Sequence, residues 1–165
     1  MAELILVRHA QAAFGTDDYD RLTELGHRQA RWLGEYFTER AIVFDRVVSG
    51  SLRRHQETLA GIAGALPGLP AANIQPGLNE YHGEALLAAY LAVSGLPPLE
   101  HSADRRAHFR VLREALYTWV GGTLEASAHP AFVEFEAGVR QALEAARDGA
   151  ERVLVVSSGG PISSA

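Results

Sequence analysis

Residues 4–9 of the chain read Leu-Ile-Leu-Val-Arg-His, so an apolar run ends abruptly in two side chains that can carry chemistry. The run is far too short to cross a bilayer, and it lacks the basic start and the cleavage site of a signal peptide. Apolar runs of this length, stopped by polar residues, are typical of buried strands in parallel sheets. We therefore predict a strand over Leu4–Val7, with Arg8 and His9 at its carboxyl end.

Two further apolar runs repeat this arrangement. Phe44–Val48 ends at Ser-Gly-Ser over 49–51, and the run Arg152–Val156 is followed by Ser-Ser-Gly-Gly-Pro over 157–161. Apolar residues between the runs recur at helical spacing, and a short extended piece is predicted near Ile74. Helices are predicted from an N-cap at Thr23 to about Arg40, from Ser51 to about Ala63, over Glu84–Val93, around Phe109–Trp119 and around Phe132–Leu143. This alternation predicts an α/β fold with a parallel sheet covered on both faces, in a single domain over residues 1–165.

The composition excludes several functional classes. The 165 residues are 47% apolar and 21% charged, which supports a packed core. Their net charge of −5 disfavours binding to nucleic acid or to an anionic membrane, so neither is predicted as a partner. The chain has no cysteine, which excludes disulfides, thiolate zinc sites and cysteine nucleophiles and is compatible with a cytoplasmic location. The histidines show no spacing typical of metal ligands, so no metal is predicted.

Polar clusters follow three of the predicted strand positions, at 8–9, 49–54 and 157–160. Because ligands in parallel α/β sheets bind beyond the carboxyl ends of the strands, we expect these clusters to meet at one edge. The acidic loop 17–20 is expected to be a solvated turn, and the alternative is that it flanks the entrance of the pocket. This convergence is the main functional signal that the residues give by themselves.

Arg8 and His9 suit the capture of a phosphoryl group. A neutral imidazole has one nitrogen free for attack, and a guanidinium holds two phosphate oxygens in a fork. Arg54 can reach the same anion from the start of a helix, where free N–H groups also attract anions. Each residue has a structural alternative: a strand-end histidine bonded to backbone, an arginine paired with a carboxylate, or a solvated helix face.

Glu80 is a candidate proton donor, in a segment that reads Leu-Asn-Glu-Tyr-His-Gly over 78–83. A carboxyl group held beside a bound anion is kept protonated more readily and can then act as a general acid. The alternative is a loop carboxylate that caps the helix starting near Glu84.

Taken in order, several segments resemble the histidine phosphatase superfamily, the group that includes cofactor-dependent phosphoglycerate mutase. They are Leu-Val-Arg-His at 6–9, Leu-Thr-Glu-Leu-Gly at 22–26, Ser-Leu-x-Arg at 51–54 with Thr58, Leu-Asn-Glu at 78–80, and the strand and glycine turn at 153–160. The resemblance implies a three-layer α/β/α fold with a mostly parallel central sheet and a phosphohistidine intermediate. It implies that His9 is the nucleophile and that Arg8 and Arg54 bind the phosphoryl group. Glu80 would be first the general acid and then the general base.

The chain departs from the family pattern most seriously at Ser158. The family ends this strand with Ser-His-Gly, and its second histidine donates to the phosphoryl oxygens, whereas residues 157–160 here read Ser-Ser-Gly-Gly. A serine hydroxyl can still bind the phosphate with one hydrogen bond, but it is shorter and uncharged. Loss of a preorganised donor costs about 10²–10³-fold in rate, so a weakened or redirected activity is expected. His82 is an alternative source of the imidazole, although a loop role is favoured for it, and His55 is assigned no role.

Smaller departures are Ala10 in place of glycine and Glu57 in place of glutamine. The resemblance also implies a helix and an edge strand beyond Ala165, so the chain is either a short form or incompletely represented. Without that helix one face of the sheet would be undercovered, which favours contact with a partner such as a second copy in a homodimer.

Together these features predict a metal-independent phosphatase without a cofactor, which hydrolyses small phosphomonoesters through phosphohistidine. The alternative is a catalytically silent relative that binds a phosphorylated ligand or a protein partner, and Ser158 is the feature in its favour. A mutase is disfavoured because the chain is short for the segments that retain a bisphosphate, whereas a protein phosphohistidine phosphatase stays open because the resemblance includes short members with that activity.

Overall fold

The computed structural model describes residues 2–97, 105–124 and 129–165. Its strands are β1 (Glu3–Arg8), β2 (Arg46–Ser49), β3 (Ala72–Ile74) and β4 (Arg152–Ser157), and its helices are α1 (Glu24–Glu39), α2 (Arg53–Ala63), α3 (Gly83–Ser94), α4 (Arg105–Val120), α5 (Phe132–Arg147) and α6 (Gly159–Ser163), with a 3₁₀ turn at Pro76–Leu78. The predicted strands and helices are present, with shifted boundaries. The N-cap at Thr23 is confirmed, since its side chain accepts a hydrogen bond from the N–H of Gly26.

The four strands form one sheet in the order β1-β4-β2-β3, and every pairing is parallel. Arg8 pairs with Ser157 at the ends of β1 and β4, while Ser49 at the end of β2 pairs with Val156. The α/β fold is therefore confirmed, with a sheet that is entirely parallel over the described residues. Because β4 lies between β1 and β2, the carboxyl ends of all three strands are neighbours.

Strand β2 begins two residues later than predicted because Asp45 ends the preceding loop. Its carboxylate accepts hydrogen bonds from the N–H groups of Glu151 at 2.7 Å and Arg152 at 2.8 Å. Phe44 is buried and packs edge-to-face against Phe37, with ring centroids 5.1 Å apart. Phe44, which the predicted strand includes, therefore precedes the strand and belongs to the apolar core.

The chain divides into two compact units, residues 1–80 with 138–165, and residues 81–137. The single domain over 1–165 stays a prediction. The first unit contains the sheet, and its core is formed by Phe37, Phe44, Val47, Ile62, Leu66, Leu154 and Val156. Helices α1 and α2 approach closely in this unit, since a methyl group built on Gly34 would lie 2.4 Å from the Ile62 carbonyl oxygen.

The second unit has its own apolar core, formed by Leu86, Trp119 and Leu124. The indole N–H of Trp119 donates to the Pro130 carbonyl at 2.9 Å, so the buried ring has its polar atom satisfied. Within the described ranges, the helices lack the length and apolar character that a membrane crossing requires.

Candidate active site

The ends of three strands and one loop are tied together at the carboxyl edge of the sheet. The N–H of His9 donates to the Ser157 carbonyl at 2.8 Å, and the N–H of Gly50 donates to the Val156 carbonyl at 3.1 Å. The Ser157 hydroxyl donates to the Leu78 carbonyl at 2.7 Å. These bonds gather the segments after β1, β2 and β4 and the loop after the 3₁₀ turn.

His9 is oriented by its own neighbour. Its Nδ1 donates to the Ala10 carbonyl at 2.8 Å, because a carbonyl oxygen can only accept. The neutral ring therefore carries its proton on Nδ1 and leaves the lone pair of Nε2 free. Burial lowers the pKa of His9, and the positive charges of Arg54 and Arg8 lower it further, although the Ala10 hydrogen bond opposes them. His9 is consequently a neutral imidazole beside two guanidinium groups.

Arg54 is buried and held by Asp20. The Arg54 side chain is 7% exposed, and its guanidinium donates to one Asp20 oxygen at 2.7 Å. The other Asp20 oxygen accepts from the N–H of Arg53 at 2.9 Å, at the N-terminus of α2. Burial disfavours the ionised form of Asp20, but the hydrogen bonds from Arg53 and Arg54 bring its pKa below the ordinary value. The Arg54 Nε is buried and has no hydrogen-bond partner among the described residues.

The expectation that the acidic loop 17–20 is only a solvated turn is therefore wrong for Asp20. A buried guanidinium needs a counter-charge, and this loop supplies it. The neighbouring Tyr19 adds to the contact, with the Arg54 Cζ 5.2 Å from the centroid of its ring. The structural alternative for Arg54, a solvated helix face, is therefore wrong, because its side chain is buried and paired with Asp20.

Thr58 joins α2 to the segment after His9. Its hydroxyl accepts from the N–H of Ala10 at 3.0 Å and donates to the Arg54 carbonyl at 2.7 Å. The two bonds connect the backbone of the histidine segment with that of the arginine segment. A threonine at this position of the motif therefore fixes how the two segments meet.

Arg8 and Glu80 meet at the glycine turn after β4. A methyl group built on Gly159 would lie 3.9 Å from the Cζ of Arg8 and 3.9 Å from a carboxylate oxygen of Glu80. The same carboxylate accepts from the N–H of Gly160 at 3.0 Å. Both charged groups therefore lie beside this turn, each at an ordinary van der Waals distance from a methyl group built on Gly159.

Ser158 lies against an imidazole that comes from α2. Its hydroxyl oxygen is 2.7 Å from the Nε2 of His55, and both side chains are fully buried. The centroid of the His55 ring is 5.8 Å from that of His9. Burial, followed by the charge of Arg54, lowers the pKa of His55 to about 4, so this ring is neutral at neutral pH.

The structure thus brings the five predicted site residues into one cluster of the first unit. These residues are Arg8, His9, Arg54, Glu80 and Ser158. Their chemical roles stay predictions. Asp20 and His55 also belong to this cluster, although neither was predicted as a site residue. For His55 a signal was present, because it directly follows Arg54 at the start of a helix. Across the described residues, no three His, Cys, Asp or Glu side chains are grouped so that they could hold a metal ion.

Comparison with known proteins identifies the family. The family model of the histidine phosphatase superfamily (branch 1) matches residues 4–165. The chain belongs to this superfamily. No curated protein matches it.

Solved structures place this histidine phosphatase superfamily member in the expected fold. A mycobacterial glucosyl-3-phosphoglycerate phosphatase is 20% identical, with 99% of this chain and 77% of that chain covered and a TM-score of 0.66. Phosphoglycerate mutase from Bacillus anthracis is also 20% identical, with coverage of 99% and 77% and a TM-score of 0.65. The protein histidine phosphatase SixA, complexed with tungstate, is 14% identical, with coverage of 96% and 70% and a TM-score of 0.54.

Proposed function

We propose that this protein is a phosphatase that transfers the phosphoryl group of a small phosphomonoester to His9 and then to water. The observation that carries the proposal is the state of His9, whose Nδ1 donates to the Ala10 carbonyl at 2.8 Å. That bond leaves the lone pair on Nε2, and the lowered pKa of the ring keeps it unprotonated at neutral pH. A nitrogen nucleophile next to two guanidinium groups is suited to an anionic phosphorus centre.

In the first step, Nε2 of His9 attacks phosphorus while the P–O bond to the alcohol breaks. The electron pair of that bond goes to the leaving oxygen, which takes a proton from Glu80. Arg8 and Arg54 bind the phosphoryl oxygens, whose negative charge they stabilise in the transition state. The hydroxyl of Ser158 supplies a further hydrogen bond.

In the second step, Glu80 takes a proton from water as the water oxygen attacks phosphorus. The N–P bond breaks, and inorganic phosphate leaves with His9 restored. Neither step needs a metal ion or a cofactor, because the charge is balanced by arginines and the protons pass through Glu80.

The comparisons support this class of reaction. The superfamily is named for histidine phosphatases, and two of the structural neighbours are named as phosphatases. SixA was solved with tungstate, a tetrahedral oxyanion like the group that the proposed reaction transfers. Another structural neighbour is named as a phosphoglycerate mutase, so phosphoryl transfer between hydroxyl groups is the related alternative to hydrolysis.

The adduct on His9 is the most specific evidence for the reaction. The protein is incubated with p-nitrophenyl phosphate and with a panel of sugar and nucleoside phosphates, quenched in alkali and analysed by peptide mass spectrometry. We expect an alkali-stable, acid-labile phosphoryl group on His9, and none in His9→Ala. An acid-stable adduct on a serine, or turnover equal in wild type and His9→Ala, would overturn the proposal.

Glu80 provides a second test through the leaving group. A phenolate leaves readily without a proton, whereas a sugar alkoxide does not. Glu80→Gln should therefore lower kcat/KM, which reports only the step that releases the alcohol, by about 10²–10⁴-fold with a sugar phosphate and by clearly less with p-nitrophenyl phosphate. An equal loss with both substrates would remove Glu80 from the role of general acid.

One observation favours a second candidate, a silent relative that only binds phosphorylated ligands. Asp20 already pairs with Arg54 at 2.7 Å, which reduces the positive charge available to a substrate. In that case tungstate would bind and be lost in Arg8→Ala, while no substrate of the panel would be turned over. Turnover that depends on His9 would exclude this candidate.

A further inference from the structure

His55 is a fully buried histidine that the proposed reaction does not use. Its Nε2 lies 2.7 Å from the Ser158 hydroxyl, and its ring centroid lies 5.8 Å from that of His9. The short contact with Ser158 is the hydrogen bond that this ring makes among the described residues. Its position therefore suggests that it orients Ser158.

The turn after β2 is built around the His55 ring. A methyl group on Gly50 would lie 2.2 Å from the Nδ1 and 2.7 Å from the Cε1 of His55. No Cβ can be accommodated that close to another heavy atom, so the ring occupies the space that glycine leaves. The ring is consequently fixed from one side by the Gly50 backbone and bonded on the other to Ser158.

The partners of the ring indicate which nitrogen carries the proton. The Nδ1 of His55 has no hydrogen-bond partner among the described residues, although the Gly50 carbonyl is near enough to oppose the decrease in the pKa. Buried N–H groups are left without an acceptor more rarely than acceptors are left without a donor. A proton on Nε2 is donated to the oxygen of Ser158, and the hydroxyl hydrogen of Ser158 is then available to a ligand.

This assignment leaves two buried donors without an acceptor in the described part of the chain. They are the hydrogen of the Ser158 hydroxyl, whose oxygen accepts from His55, and the Nε of Arg54. Unpaired buried donors are costly, and a bound oxyanion would satisfy both. The two donors therefore point to the same kind of ligand as the neutral ring of His9.

We propose that His55 is a positioning residue that supplies, from α2, the imidazole that β4 lacks: its Nε2–H donates to Ser158 and so presents the Ser158 hydroxyl to the phosphoryl group. The proposal rests on the proposed phosphatase function. The loss of rate expected from Ser158 is then smaller. A serine hydroxyl that is oriented by an imidazole stabilises the phosphoryl group better than a freely rotating hydroxyl would.

A double-mutant cycle tests the connection between the two residues. Ser158→Ala should lower kcat by about 10²–10³-fold, as the loss of one aligned donor does. His55→Ala should lower kcat by about 10–100-fold, with KM changed less, and should have no further effect when combined with Ser158→Ala. His55→Gln should recover part of the loss, because its amide can donate to the same oxygen. Independent losses in the double variant, or a glutamine variant no better than alanine, would overturn the proposal.

A measurement without substrate keeps the test valid if His55→Ala does not fold. In the wild-type protein, ¹⁵N NMR of labelled histidine reads the tautomer directly. We expect the His55 proton on Nε2, and a proton on Nδ1 would overturn the proposal.

Tungstate binding separates this proposal from the proposed function. Titration calorimetry should show weaker tungstate binding in Ser158→Ala and in His55→Gln compared with wild type. If that result and the Nε2 tautomer are found but no phosphohistidine forms, the phosphatase function fails and the positioning pair stands. If phosphohistidine forms and Ser158→Ala matches wild type in kcat and in tungstate affinity, the positioning pair fails and the function stands.

Discussion

The carboxyl edge of the sheet and the core of the second unit bury different kinds of side chain. Among the described residues, the buried polar or charged side chains of the first unit are Ser49, Arg54, His55, Thr58, Ser157 and Ser158, whereas the second unit has His129. Around Trp119 the second unit instead places the rings of Tyr81, Phe132 and Phe135, with centroids 5.6, 5.2 and 5.3 Å away. A buried polar side chain lowers the stability of the fold unless it is hydrogen-bonded. The clustering of such side chains at one edge of the sheet therefore indicates a functional site.

The largest effect should come from the nucleophile. His9→Ala is expected to lower kcat by about 10⁴–10⁶-fold, because removal of a nucleophile leaves only binding and charge stabilisation. The matched control is His27→Ala, since the His27 side chain is 55% exposed. Steady-state kinetics with p-nitrophenyl phosphate should show no more than a small change in the control. A comparable decrease in kcat in both variants would mean that His9 has no special role in the reaction.

The second unit should respond in stability. Trp119→Ala removes a ring that is 2% exposed and should lower the free energy of unfolding by about 3–5 kcal/mol. Tyr117→Ala, two residues away and 66% exposed, should change it by about 0.5 kcal/mol or less. Urea denaturation measures both. A Trp119 variant as stable as the Tyr117 variant would contradict the description of this region as a packed core.

Thr58 should have an intermediate effect. Thr58→Val keeps the shape but leaves the N–H of Ala10 without its acceptor, at a cost of about 1–3 kcal/mol in the free energy of unfolding. Thr118→Val is the control, because the Thr118 hydroxyl also donates to the carbonyl four residues earlier, at 2.9 Å, but accepts no hydrogen bond from any other described residue. Equal destabilisation would show that the Ala10 bond contributes little.

The smallest effect concerns pH. Because burial and the charges of Arg54 and Arg8 lower the pKa of His9 from 6.5, a lower pH is needed to protonate its ring. The acid limb of kcat/KM should therefore have its midpoint below pH 6.5. A midpoint above that value would mean that the folded protein stabilises the imidazolium, contrary to the site described above.

The features that could be predicted from the sequence are those that depend on a local pattern of residues. Apolar runs and their polar ends located β1 and β4, and Thr23 was recognised as a cap. The start of β2 was misplaced because Asp45 is bonded to residues more than a hundred positions away. The partners of Arg54 and Ser158 were missed for the same reason, since Asp20 and His55 meet them across 34 and 103 residues. Such pairs are set by the assembled sheet, which periodicity does not reveal.

The proposed reaction requires that His9, Arg8 and Arg54 bind one tetrahedral oxyanion jointly. A crystal structure of the protein soaked with tungstate tests it most directly. We expect a single tungstate in contact with the Nε2 of His9 and with both guanidinium groups. Tungstate bound elsewhere, or a His9 ring with its Nε2 turned away from both arginines, would contradict it.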